Sequence, residues 1–141
     1  MSDSAVLVGP LGPTYSYHRE HRYYFLYRDG VVTAPEIETR GQCSDHRYAT
    51  GLQVFIRLQA GDTLIRCEHS SHAGREEFSL LTLDAEQTAA QHIGSRVSEQ
   101  ERPILLALLG YRESLGKSSG IIAQTLRTLL GVGSVPAPQG W

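Results

Sequence analysis

The chain has 141 residues, 40% apolar and 20% charged, with a formal net charge of −2. That fits one globular domain able to bury a core without metals or disulfides, and it excludes disorder by composition. The slightly acidic balance argues against a general polyanion binder, which carries a basic excess.

Other composition features narrow the setting. Residues 1–84 hold eight Arg and eleven acidic residues, and residues 85–141 hold five basic and four acidic. Neither half is extreme. Twelve of the thirteen basic residues are Arg and there is no Asn, which reads as a coding bias. Two cysteines, Cys43 and Cys67, do not make a disulfide scaffold. The start Met1-Ser-Asp-Ser-Ala lacks a signal-peptide layout, and no apolar run approaches the ~20 residues of a membrane span. A cytoplasmic protein, or part of a particle assembled in the cytoplasm, is expected.

In chain order, residues 1–14 read as an extended arm, because Pro10 and Pro13 block helix and supply no ladder donors. From Tyr15 to Tyr27 the pattern is an aromatic-rich strand. Asp29-Gly30 follows as a two-residue hairpin signal, and Val31 to Glu38 returns, with Pro35 marking an edge or bulge. Residues 39–50 are loop-like. Leu52, Val54, Ile56 and Leu58 recur at period two and share one strand face. After Ala60-Gly61-Asp62 the chain returns through Thr63–His69, with Ile65, Cys67 and His69 on one face and Arg66 and Glu68 on the other. Residues 77–83 give a further strand.

Helical signals begin after Asp84. Asp84 and Gln87 resemble a capping box for a short helix, and Ser98 with Glu101 resembles another. Pro103 suits a helix that starts near Arg102. Ile104, Leu105, Leu108, Leu109 and Tyr111 form its apolar stripe, and Gly116 ends it. Ser118 or Ser119 can cap a last helix carrying Ile121, Ile122, Leu126, Leu129 and Leu130, stopped by Gly131. The expected architecture is one α+β domain. A mostly antiparallel sheet or partly open barrel of five to six strands fills 15–84, a helical hairpin follows within 85–131, and 132–141 is an extended tail.

Three groups of residues can carry chemistry. Tyr17, Arg19, His21, Tyr23, Phe25 and Tyr27 fall on one face of the aromatic strand, with Arg22 and Arg28 on the other. Aromatics interleaved with arginine suit a protein interface, since those residues dominate hot spots. They also suit a single-stranded nucleic acid, through stacking and phosphate contacts. The plain reading is a half-buried strand with solvated arginines. Trp141, ending a Pro/Gly-rich tail, is a second candidate contact.

Cys43-x-x-His46 and Cys67-x-His69-x-x-His72 have the outline of a zinc site, although Cys-x-His is tighter than the usual knuckle. Burial of Cys67 beside Ile65 is the plainer reading, so no cofactor is expected and zinc is the minor option. Gly116-Lys117-Ser118 mimics the end of a phosphate loop but follows a helix at the wrong glycine spacing. The helical hairpin could present Arg112, Lys117 and Arg127 to phosphate, but its last helix has little to read bases.

No catalytic signature stands out. The sequence points to a non-enzymatic binding or assembly protein, a subunit of or factor docking on a larger complex. Its expected partner is a protein or a second copy of itself, and no membrane. The alternatives are a nucleic-acid or transcription-apparatus binder and a small zinc-stabilised module or enzyme.

Overall fold

A computed structural model describes residues 4–10, 21–42, 52–70, 75–84 and 87–133. The chain divides into two compact units, Met1–His92 and Ile93–Trp141. The first holds strands β1 (Ser4–Pro10), β2 (His21–Arg28), β3 (Val31–Thr33), β4 (Ile37–Gln42), β5 (Leu52–Leu58), β6 (Thr63–Ser70), β7 (Arg75–Asp84) and β8 (Gln87–His92). The second holds helices α1 (Arg102–Ser114) and α2 (Ile121–Leu130). The fold is α+β, and its main sheet is open, not closed into a barrel.

That sheet has five antiparallel strands in the order β3-β2-β6-β7-β8. Tight turns set its register. Asp29 and Gly30 have φ of 53° and 80°, the pair of positive values a two-residue hairpin needs. They bring Arg28 opposite Val31. Gly61 has φ of 92° in the turn where the Asp62 N–H donates to the Gln59 carbonyl at 3.1 Å. β2 and β6 then pair from Tyr27 opposite Thr63 to His21 opposite His69.

Three expectations change in this unit. Asp84 and Gln87 do not cap a helix; they are cross-strand partners in the β7–β8 hairpin. A three-residue spacing serves either role, and Gln87–His92 has no apolar helical stripe to bury. The N-terminal arm is also partly strand. β1 pairs with β5, from Ser4 opposite Leu58 to Pro10 opposite Gln53, with a register shift between Leu7 and Gly9. Pro10 closes an edge strand, where its missing donor is harmless. Finally, the expected strand from Val31 to Glu38 is cut at Ala34-Pro35-Glu36. There the chain leaves the large sheet and enters a small one, order β1-β5-β4, and Thr39–Gln42, expected as loop, are part of β4.

The two sheets share a core. Tyr24, Leu26, Leu64 and Leu81 from the large sheet cluster with Ile56 and Leu58 of β5, and Leu83 packs against them. Ile56, Leu58 and Leu64 are fully buried. Each such aliphatic side chain contributes about 2 kcal/mol from apolar burial. The opposite face of the large sheet is buried as well, at Phe25, Ile65, Cys67, Phe78 and Leu80. Arg66 and Glu68 lie, as expected, on the face opposite Ile65 and Cys67, where both are half-buried with Arg66 Nε 2.8 Å from Glu68 Oε1.

In the second unit, Ser98 and Glu101 form the expected box. The Ser98 N–H donates to Glu101 Oε1 at 2.9 Å, and the Glu101 N–H donates to Ser98 Oγ at 3.2 Å. The regular helix starts at Arg102, with Pro103 in its first turn. Leu105, Leu108 and Leu109 of α1 and Ile122, Ala123, Leu126 and Leu130 of α2 are the buried stripes. Both helices end on a left-handed glycine. At Gly116 (φ 75°) the Lys117 N–H donates to the Arg112 carbonyl, and at Gly131 (φ 68°) the Val132 N–H donates to the Arg127 carbonyl.

Neither Ser118 nor Ser119 caps α2. Gly120 occupies the N-cap without a side-chain bond. The Ser118 carbonyl instead accepts from Arg127 Nη2, and the Ser119 carbonyl from Gln124 Nε2. Arg102 Nη1 donates to the Leu130 carbonyl at 2.8 Å, tying the start of α1 to the end of α2. A cation there also suits the negative end of the helix dipole.

Candidate functional site

β2 is the strand that sequence singles out, and its side chains divide sharply. Tyr24, Phe25 and Leu26 are buried, at 5%, 6% and 8% exposure, while Tyr23 is 48% exposed. A strand covered on both faces reads as a continuous apolar run rather than an alternating one, which is what Tyr23 to Tyr27 is. Phe25 therefore belongs to the core and offers no outer contact. Tyr27 is half-buried.

Arg28 is committed elsewhere. Its Nε donates to Asp62 Oδ1 at 2.8 Å and its Nη2 to Asp62 Oδ2 at 2.7 Å, while the Gln59 N–H donates to Oδ2 at 2.7 Å. Burial by itself would raise the Asp62 carboxyl. The Arg28 hydrogen bond, the Gln59 N–H and the Arg28 charge outweigh it and hold Asp62 below its ordinary range. A bidentate guanidinium–carboxylate pair of this kind staples the turn before β6 to the end of β2.

Of the other interface candidates, His21 and Arg22 lie on β2 opposite His69 and Glu68, with their side chains outside the described residues. Tyr17, Arg19 and Trp141 are outside the described residues altogether. Among the described residues of the first unit, two large exposed apolar positions escaped the sequence reading. Val31, just after the Asp29-Gly30 turn, is 58% exposed on the short edge strand β3, and Ile37 opens β4 at 45%. The signal available for Val31 is its place beside a hairpin turn on an edge.

The zinc candidates do not assemble among the described residues. Cys43, His46 and His72 lie outside them, and His69 is placed only by its position on β6. Cys67 sits mid-strand, fully buried, and its thiol donates to Glu76 Oε2 at 3.3 Å. Glu76 is itself 5% exposed. No group of three or more His, Cys, Asp or Glu side chains among the described residues is placed to hold a metal ion.

The helical hairpin presents fewer cations than its sequence suggests. Arg127 is buried, bonded to the Ser118 carbonyl and 3.6 Å from Glu113 Oε2, so it faces protein and not phosphate. Lys117 is exposed in the turn between the helices. Elsewhere, Glu36, Ile37, Glu38, Phe55 and Arg57 line a shallow cleft of about 250 Å³. Among the described residues, no helix is long and apolar enough to cross a membrane.

Comparison of the chain with family models, with curated proteins and with solved structures finds no match.

Proposed function

We propose that this is a non-enzymatic binding or assembly protein that docks on a protein partner, or on a second copy of itself, through β2 and the segment ending in Trp141. The exposed Tyr23 carries the reading. It projects from a strand whose next three residues are core, and that strand is paired to β6 along its length. A large aromatic held outward on a rigid strand loses little entropy on binding, and tyrosine is enriched where binding energy concentrates.

A protein partner is favoured over nucleic acid because two cations that would serve phosphate are spent internally, Arg28 on Asp62 and Arg127 on Ser118 and Glu113. The test is light scattering of the purified protein across a concentration series, alone and as Tyr23→Ala. Self-association that the substitution weakens supports the second-copy version. A wild-type monomer at every concentration rules that version out.

A further inference from the structure

We draw no further inference here: the strongest candidate, the shallow cleft where β4 meets β5 between Glu36, Glu38, Phe55 and Arg57, carries nothing because its carboxylates are exposed to water, Arg57 offsets one of their two charges, and nothing in the structure shows what ligand would occupy it.

Discussion

Arg28 and Asp62 meet through two parallel hydrogen bonds, at 2.8 and 2.7 Å, across 34 residues of sequence. The carboxylate side chain is 2% exposed and the guanidinium 33%, so the acid depends on the base far more than the reverse. Asp62 is held below its ordinary range, so its stabilising contribution is present above the unfolded pKa, about 4, and is lost as pH falls through the lower folded value. Arg28→Ala leaves burial opposed only by the Gln59 N–H, so the carboxylate ionises less readily in the folded state than it does beside Arg28. The expected cost is about 2 kcal/mol at pH 7 and clearly less at pH 3. Urea unfolding at the two pH values measures both; equal costs would contradict the assignment.

Leu64 is fully buried in the cluster shared by the two sheets. Leu64→Ala should destabilise by about 3 kcal/mol, the usual transfer and cavity cost. Chemical denaturation of the whole chain measures it. A loss below about 1 kcal/mol would mean the facing sheets do not share this core.

Ser98 and Glu101 satisfy each other's backbone N–H ahead of α1. Ser98→Ala should cost about 1 kcal/mol, and Ser98→Asp should recover most of it, since aspartate is an equally good cap. Thermal unfolding of the three proteins distinguishes a capping role from a merely tolerated serine.

Cys67 is fully buried and bonded to Glu76. In the folded protein it should resist iodoacetamide, and in denaturant it should react fully, as site-resolved mass spectrometry would show. Rapid native labelling of the Cys67 peptide would contradict its placement in the sheet.

Much of this fold was legible in short-range chemistry. Asp29-Gly30 announces its turn because few other pairs accept two positive φ values. Ile56 and Leu58, two residues apart, share the buried face that their spacing implies. The Ser98–Glu101 box and the stops at Gly116 and Gly131 are local too. What could not be read depends on partners distant in sequence. β8, Gln-Thr-Ala-Ala-Gln-His, has little intrinsic strand preference and is a strand because β7 is beside it. β1 becomes a strand by meeting β5, more than forty residues on. The same limit affects the site. Alternation assigned Tyr23 and Phe25 to one face, which is their geometry, but it could not say that Phe25 is covered and Tyr23 is not.

Tyr23 decides the functional reading. Tyr23→Ala removes a ring that is half in solvent on a paired strand, so stability should fall by about 1 kcal/mol and the variant should stay folded. The direct test is affinity purification from the native source with wild-type and Tyr23→Ala protein, followed by mass spectrometry of what is retained. The expected result is a stoichiometric protein, or a second copy of the chain, held by the wild type and lost by the variant at a temperature where both remain folded. A wild-type monomer that retains no protein, or partners held equally by both forms, would contradict the proposed role of β2.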